Sequence, residues 1–325
     1  MIFVLRQIQE KCREQNMETL YAAFVDLTKA LETASRDGLW TILAHLGCTP
    51  KFLTILRQLH EGQQGQVKHD GSLSSSFPIS NGVKQGCFLA PTSFCIFFSI
   101  MLLEAKDDLP DGIYIRFPTN GSLFNLRRLL ACMKTIKELI TELLFADNCA
   151  FLAHTEEALQ YIVNRFSDAA KNSGLTISLK KTEVLYQPPP RKAYSPHISI
   201  DGTNLNAMEH FTCLGSVISS DATVSKDLDN RLSIASSSFG RLSKGVWQSH
   251  SLRLSTKLQV YRAVVVTTIM YGAETWVLYR KQIGLLERFH QRCLRSFLGI
   301  KWQDHVSNEE VLKRGSLPIV ESILF

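Results

Sequence analysis

Two apolar segments that meet acidic residues place the strongest constraint on how this chain folds. Residues 20–25 read LYAAFV and are followed at once by Asp26, while residues 142–152 form two mostly apolar runs separated by Asp147 and Asn148. The first segment has the length and apolar continuity of a buried strand, and the second predicts a hairpin with a two-residue polar turn. We therefore expect strands that carry carboxylates at their ends.

Two carboxylates on adjacent strand ends make a place for divalent cations. Mg²⁺ favours oxygen ligands and substrate phosphates, and a two-metal site holds the attacking and leaving oxygens of a phosphoryl transfer. A simpler interpretation stands beside this one, because an aspartate at a strand end often caps the next helix and Asp-Asn is ordinary turn chemistry. Taken alone, Asp26 and Asp147 favour the simpler interpretation.

The rest of the pattern predicts a mixed chain of helices and strands. Helical spacing, with Ser35 and Thr155 as N-caps, predicts helices at 2–15, from Ser35, at 51–60, 94–105 and 155–173, and a mostly helical chain from Val224 onward. Strands are expected in the polar segment 62–80, on both sides of Asn120-Gly121, and at 197–202 and 211–218. Three prolines at 188–190 mark the clearest boundary.

Composition and charge narrow the class of protein. Hydrophobic residues make up 45% of the 325 residues, charged residues 20%, and the mean hydropathy is 0.00, which is typical of a globular chain. The net charge of +6 is modest, but residues 231–300 hold eleven Lys/Arg against two acidic residues. The eight cysteines form no CxxC pair, which fits reduced thiols in a nuclear or cytoplasmic protein. Neither a secretory leader nor a membrane span is expected, because the apolar stretches are too short.

Five motifs in order carry a resemblance to a known family. They are FVDLTKA at 24–30, GVKQGC at 82–87 with Leu89, Pro91 and Phe94, FADN at 145–148, GLTI at 174–177 with Lys181-Thr182, and FTCLG at 211–215. This series resembles the motifs of reverse transcriptases, and the stretches 271–276 and 289–295 are similar to those of non-LTR (LINE-type) retrotransposons. The resemblance covers nearly the whole chain.

The resemblance implies a fold and an activity. The fold would be α+β, with a right-hand polymerase palm, an antiparallel sheet packed on helices, followed by a mostly helical, basic, thumb-like region. The division would be 1–187 as palm with partial fingers, 188–222 as connecting strands and 223–325 as thumb. The implied activity is RNA-directed DNA polymerisation with two Mg²⁺ ions, an RNA template, a DNA primer and a dNTP. The sequence makes no prediction of oligomeric state.

The resemblance also implies roles for single residues. Asp26 and Asp147 would ligate the metal ions, and the carbonyl of Leu27 would face a metal. Lys181 would lie near the triphosphate as a proton donor, with Lys180 an equal contender. The remaining positions would contact nucleotide, template or phosphate backbone: Leu31, Gln85, Gly86, Arg288, Arg292 and Arg295.

Departures from the family pattern argue for weak activity or none. Asn148 stands where the family has its second aspartate, and it brings no negative charge to a metal pair. Leu31 stands where the family has an aromatic ring that screens out ribonucleotides. The fingers segments that precede the first motif in the family are not found upstream of it here. Two alternatives stay open: a non-catalytic nucleic-acid-binding protein that uses the basic helices, and a chain that does not fold stably.

Overall fold

The computed structural model describes residues 1–14, 19–83, 89–106, 112–118, 135–188, 194 and 196–324. The chain forms two compact units. The first contains Lys11–Met208 with Met1, and the second contains Glu209–Phe325 with Ile2–Glu10. The break at 208/209 falls inside the predicted connecting segment 188–222, and the three-part division proposed from the sequence stays a prediction.

Helices and strands are mixed throughout, in agreement with the predicted α+β class. The α-helices are α1 (Ile2–Glu14), α2 (Ala30–Thr33), α3 (Arg36–His45), α4 (Pro50–His60), α5 (Ala90–Lys106), α6 (Glu156–Asn172), α7 (Ser225–Arg241), α8 (Leu254–Val260), α9 (Thr267–Ile269), α10 (Arg280–Leu298), α11 (Asn308–Gly315) and α12 (Val320–Leu324). The strands are β1 (Leu20–Val25), β2 (Gln64–Gly65), β3 (Lys68–His69), β4 (Ser72–Leu73), β5 (Phe77–Pro78), β6 (Ile113–Pro118), β7 (Thr135–Ile140), β8 (Glu142–Phe145), β9 (Asn148–Ala153), β10 (Glu183–Gln187), β11 (Ser199–Ile200), β12 (Thr203–Asn204), β13 (Asn206–Met208), β14 (His210–Cys213) and β15 (Ser216–Ser219). Short π-helical turns flank α8, at Ser243–Trp247 and Tyr261–Val266.

A five-stranded sheet organises the first unit. Its strand order is β13-β10-β1-β9-β8, with β1 antiparallel to both of its neighbours and β10 parallel to β13. Every residue of β1 is buried, which explains its unbroken apolar sequence, because a central strand covered on both faces needs no polar alternation. Helices α5 and α6 pack against each other, and α6 packs on β1 and β9. This is the predicted antiparallel sheet packed on helices.

Aromatic side chains fill the layer between the sheet and these helices. Phe94 and Phe98 stack within α5 with ring centroids 5.6 Å apart, and Phe151 of β9 meets Phe166 of α6 at 4.8 Å. All four side chains are buried in one cluster. Thr155 accepts a hydrogen bond from the amide of Ala158 and begins α6, as its sequence predicts. The core therefore fixes the sheet from which the acidic residues emerge.

The β8–β9 hairpin differs from the prediction by one residue. Phe145 pairs with Asn148, so the two turn residues are Ala146 and Asp147 rather than Asp147 and Asn148. Ala146 takes a positive φ of 54°, a region that residues with a Cβ seldom occupy. The prediction was wrong because Asp-Asn is the more usual turn dipeptide, whereas the register of the strands places Asn148 in β9.

Strand β6 has its partner further along the chain. It pairs along all six of its residues with the antiparallel strand β7. The hairpin predicted around Asn120-Gly121, with its second strand at 122–124, lies outside the described residues.

The second unit is mainly helical, as predicted for the chain beyond Val224. Strands β14 and β15 form a hairpin whose turn, Leu214-Gly215, has φ angles of 47° and 83°, the positive values that a tight two-residue connection requires. Helices α7, α10, α11 and α12 enclose a core that includes Trp247, Tyr261 and Phe297. Among the described helices, none combines the length and apolarity needed to cross a bilayer.

A buried ion pair ties the start of α1 into this second unit. The Arg6 guanidinium donates to Asp227 at 2.6 Å, and Asp227 also accepts from the amide of Val217 at 2.9 Å and from the Trp276 indole at 2.8 Å. Asp227 is fully buried, so this carboxylate has exchanged water for three protein donors. Residues Ile2–Glu10 are therefore part of the fold of the second unit.

Candidate catalytic site

Asp26 and Asp147 lie at the same edge of the first unit's sheet, which is the edge where strand β1 ends and strand β9 begins. Strand β1 ends at Val25, whose partner on the antiparallel strand β9 is Cys149, and Asp26 is the next residue along the chain. Continuing that register by one step places Asp26 opposite Asn148, the first residue of β9, with Asp147 beside it in the turn. Neighbouring strands are separated by about 4.8 Å. Both aspartates are partly exposed, and the Asp26 side chain keeps 30% of its surface.

The segment that follows α6 runs alongside Asp26 and fixes its backbone. The amide of Ser178 donates to the Asp26 carbonyl at 2.8 Å, and the amide of Thr28 donates to the Thr176 carbonyl at 2.8 Å. The Asp26 amide in turn donates to Oγ1 of Thr182 at 3.4 Å, and Thr182 is completely buried. The Asp26 amide thus gives the buried Thr182 hydroxyl the hydrogen-bond partner that a buried polar group needs. Two motifs that lie about 150 residues apart in the sequence therefore form one local structure.

Lys181 supplies a cation at this edge. Its Nζ lies 3.6 Å from Oδ2 of Asp26, and its side chain is 69% exposed. An ion pair this exposed contributes little to stability, so its position matters for the charge of the site more than for the fold. The pairing with Asp26 distinguishes Lys181 from Lys180, the neighbour that the sequence left as an equal contender.

The backbone carbonyl of Leu27 points toward β9. Asp26 and Thr28 both direct their hydrogen bonds to the segment 176–178, and successive residues of an extended chain direct theirs to opposite sides. The peptide groups of Leu27 therefore face the side on which Asp147 lies. The Leu27 side chain is buried in the first unit's core, and the Leu27 backbone forms an antiparallel bridge with Ile177.

Two titratable groups near this edge have raised pKa values. Burial raises the pKa of the Cys149 thiol, and the negative charges of Glu142 and Asp147 raise it further. Burial also raises the pKa of the Glu183 carboxyl, which follows Thr182 in the chain. Asn148 Nδ2 donates to Oδ1 of Asp147 at 3.3 Å, so the amide at this position contacts the acid beside it. The edge thus carries negative charge, offset in part by Lys181.

Helix α2 joins this edge to the segment that follows the small hairpins. The amide of Val83 donates to the Leu31 carbonyl at 2.8 Å, and the amide of Gly82 donates to the Ala34 carbonyl at 3.0 Å. Gly82 has a φ of 77°, and a Cβ there would lie 2.3 Å from the Glu32 carbonyl oxygen, so only glycine fits. The Leu31 side chain is half-buried against the core. Gln85 and Gly86 lie outside the described residues.

Two residues with a part in this site were missed from the sequence. The sequence pattern gives Thr182 no role, although its buried hydroxyl accepts a hydrogen bond from the Asp26 amide. Arg36 Nε donates to the Gly82 carbonyl at 2.7 Å, and its Nη1 donates to the carbonyls of His60 at 2.8 Å and Ile79 at 3.1 Å. No local sequence signal marks Arg36, because its partners come from two separate segments, the end of α4 and the loop after β5.

The three predicted backbone-binding arginines all belong to α10, in the second unit, but they differ in surroundings. Arg288 and Arg292 are exposed and lie one turn apart. Arg295 donates through Nη2 to the Val306 carbonyl at 2.8 Å and to Oδ1 of Asn308 at 2.9 Å. The chain therefore engages Arg295 through two bonds to a following segment, whereas Arg288 and Arg292 contact only their own helix. Arg288 Nε donates to the Gly284 carbonyl at 3.1 Å, and the Arg292 guanidinium lies 5.2 Å from the centre of the Phe289 ring.

The sequence profile described as reverse transcriptase (RNA-dependent DNA polymerase) matches residues 3–218. The chain belongs to the reverse transcriptase family. The RNA-directed DNA polymerase from mobile element jockey is 22% identical over 296 residues in Drosophila melanogaster, which is 89% of this chain and 29% of that protein. The counterpart from Drosophila funebris is 22% identical over 305 residues, 92% of this chain and 30% of that protein.

The predicted likeness to non-LTR elements is confirmed by these relatives. The Pol polyprotein of the retrotransposable element R2DM from Drosophila melanogaster is 24% identical over 167 residues, 51% of this chain and 14% of that protein. This reverse transcriptase chain spans less than a third of the length of the relatives it matches. Among solved structures, Candida albicans telomerase in complex with a telomeric RNA fragment aligns with a TM-score of 0.42 at 12% identity, over 96% of this chain and 49% of that one.

Proposed function

We propose that this chain is the palm and thumb part of an RNA-directed DNA polymerase that extends a DNA primer with dNTPs on an RNA template. The observation that carries the proposal is the convergence of Asp26, Asp147 and Lys181 on one sheet edge, from three segments far apart in the sequence. Membership of the reverse transcriptase family supports the reaction class. The reaction itself is nucleotidyl transfer, in which the primer hydroxyl attacks the innermost phosphate of the nucleotide and pyrophosphate leaves.

Asp26 and Asp147 would hold the divalent ions, with the Leu27 carbonyl as a further ligand. Carboxylate and carbonyl oxygens are the ligands that Mg²⁺ prefers, so the donor set suits this ion. Among the described residues, however, no group of three or more His, Cys, Asp or Glu side chains comes together. Bound divalent ions supply positive charge beside the oxygens that gain negative charge during phosphoryl transfer. The oxygen ligands present at this edge are therefore better suited to hold one divalent ion than two.

The remaining predicted residues would bind and orient the substrates. The Lys181 ammonium, next to Asp26, holds a proton where the leaving pyrophosphate needs one. Leu31 would lie under the sugar of the incoming nucleotide, where its small side chain discriminates weakly between ribose and deoxyribose. Gln85 and Gly86 would contact the template and nucleotide, and Arg288 and Arg292 the phosphate backbone.

Asn148 is expected to make this polymerase weak. An amide at that position contributes an oxygen but no charge, and two dications held close together depend on each nearby carboxylate. If the missing charge raises the activation barrier by about 4 kcal/mol, the rate falls roughly a thousandfold. The proposed activity is therefore that of a polymerase impaired at one position, and this position offers the sharpest test.

Primer extension on a poly(rA)–oligo(dT) substrate with Mg²⁺ tests the proposal. We expect weak extension by the unmodified chain, a gain on the order of a thousandfold for Asn148→Asp, and loss of that gain when Asp26→Ala is added. Asn164→Asp, which adds the same charge to an exposed position of α6, is the matched control and should change nothing. Strong extension by the unmodified chain would contradict the impaired state, and extension that survives Asp26→Ala would contradict the assigned site.

A second candidate function is nucleic-acid binding without catalysis. It is favoured by the exposed Arg288 and Arg292 on one face of α10, within a segment of eleven Lys/Arg and two acidic residues. Binding of this kind weakens steeply with salt and survives Asp26→Ala. Neutralising Arg288 and Arg292 together should reduce it, and absence of binding at low salt would exclude it. A cooperative melt followed by circular dichroism establishes first that the chain folds.

A further inference from the structure

Trp302 is the most exposed large hydrophobic side chain among the described residues, with 78% of its surface open to solvent. The chain's other three tryptophans, Trp40, Trp247 and Trp276, are each less than 10% exposed and belong to the cores of the two units. A globular chain gains by burying an indole, and an isolated one in full contact with water is uncommon. Packing in a core therefore does not explain why a tryptophan stands at position 302.

The loop that carries Trp302 is fixed at both ends. Helix α10 stops at Gly299, and the next amide, of Ile300, donates back to the Arg295 carbonyl at 3.0 Å. The turn is then closed by Asp304, whose Oδ2 accepts from the amide of Lys301 at 2.7 Å. The far end is held by the bonds from Arg295 to Val306 and Asn308 described above. The indole thus projects from a braced turn.

The same loop continues the exposed basic face of α10. At 3.6 residues per turn, Arg288, Arg292 and Arg295 lie within about 60° of one another around the helix. Because Arg295 bonds to the residues just after the turn, this face is the one directed toward the loop. Residues 288–305 hold four Lys/Arg and one Asp, and Lys301, directly before Trp302, is exposed. The indole therefore directly follows an exposed lysine, in a segment whose formal charge is +3.

We propose that Trp302, with Lys301 and Arg292, is a stacking site for unpaired bases of single-stranded nucleic acid. An exposed aromatic ring accepts any base on its π-face, and nearby cations hold the phosphates that connect successive bases. The braced turn presents the ring without ordering a flexible segment on binding. This site rests on the nucleic-acid-binding part of the proposed function and not on the chemistry at Asp26. A protein partner is the rival occupant, which would use the ring but not the surrounding charge.

Intrinsic fluorescence of the full chain reads this site directly, because Trp302 is the only solvent-exposed tryptophan of the four. Titration with oligo(dT) at low salt should quench the solvent-exposed emission in a saturable way. Trp302→Phe should remove that change. By anisotropy of a labelled oligo(dT), Trp302→Ala should weaken binding by about fivefold or more, the range expected for loss of one stacked base. Tyr161→Ala, an exposed aromatic change on α6, is the matched control.

The outcomes separate this proposal from the broader one. If oligo(dT) binds without quenching, or binds Trp302→Ala as tightly as the unmodified chain, the stacking site is excluded while binding through Arg288 and Arg292 stands. If Arg292→Gln lowers the affinity and reduces its dependence on salt, the charge part of the site is supported. If the unmodified chain binds no oligonucleotide at low salt, the stacking site and the binding function both fail. Duplex DNA of equal length, whose bases are paired, should be bound equally by the unmodified chain and Trp302→Ala.

Discussion

Replacing Arg6 by methionine removes the cation that pairs with the buried carboxylate of Asp227. The Asp227 side chain has no exposed surface, and its pair with Arg6 is 2.6 Å long. After the change, the carboxylate keeps two neutral donors, the Val217 amide and the Trp276 indole. Leaving one charge of such a pair without its partner costs about 3–5 kcal/mol. That is a large fraction of the about 5–15 kcal/mol by which domains are stable.

The expected loss can be measured by urea unfolding followed through circular dichroism and tryptophan emission. A matched control is Arg314→Met, the same substitution in a surface pair with Glu310 whose partners are 51% and 41% exposed. Exposed pairs of this kind contribute about 0–1 kcal/mol, so the control should stay close to the unmodified chain. If Arg6→Met lowers the free energy of unfolding no more than Arg314→Met does, the expected loss of about 3–5 kcal/mol for the buried pair is refuted.

A double variant shows whether the cost comes from the unpaired charge. Arg6→Met with Asp227→Leu removes both charges and leaves apolar groups of similar size. Replacing a complete buried ion pair by apolar groups is often close to neutral, so this variant should recover most of the loss. A double variant that is less stable than Arg6→Met would show instead that the bonds from Val217 and Trp276 to the carboxylate matter more than its charge.

Three further outcomes are expected. Gly82→Ala should destabilise the chain by more than about 1 kcal/mol in urea, because its Cβ would lie 2.3 Å from the Glu32 carbonyl oxygen; an unchanged midpoint would refute the close approach. Burial lowers the pKa of His290, so the unfolded chain binds a proton more readily, and stability falls as the pH drops below about 6.5; melting temperatures should show less of this loss in His290→Gln. Alkylation of the native chain near neutral pH should modify the exposed Cys95 and spare Cys293, whose pKa burial raises to about 12; equal labelling of both thiols would contradict this packing.

Sequence patterns predicted those elements whose structure depends on neighbouring residues. The apolar run 20–25 forms a central strand because both of its faces are covered, and Thr155 caps α6 because its hydroxyl reaches an amide three residues away. The end of β1 at Val25 followed from the same run, which placed Asp26 correctly at the strand end. In these cases the physical cause lies within one element or at its end.

Other features depend on partners that no local pattern reveals. The hairpin turn at Ala146 needs a positive φ on a residue that rarely takes one, so the more usual dipeptide misled the prediction. Arg295 looked like its neighbours on α10, yet it bonds to residues beyond the next turn. Arg6 and Asp227 lie 221 residues apart and give no sign of pairing in the sequence.

The membership of Ile2–Glu10 in the second unit has a consequence for biosynthesis. This helix leaves the ribosome about 200 residues before the first strand that it must join, and at about 5–20 residues per second that interval lasts roughly 10–40 s. During this time the part of the helix that packs in the second unit has no native partner, because β14 and the helices that follow it have not yet been synthesised. A nascent chain in this state offers an amphipathic helix to chaperones until the second unit has been synthesised.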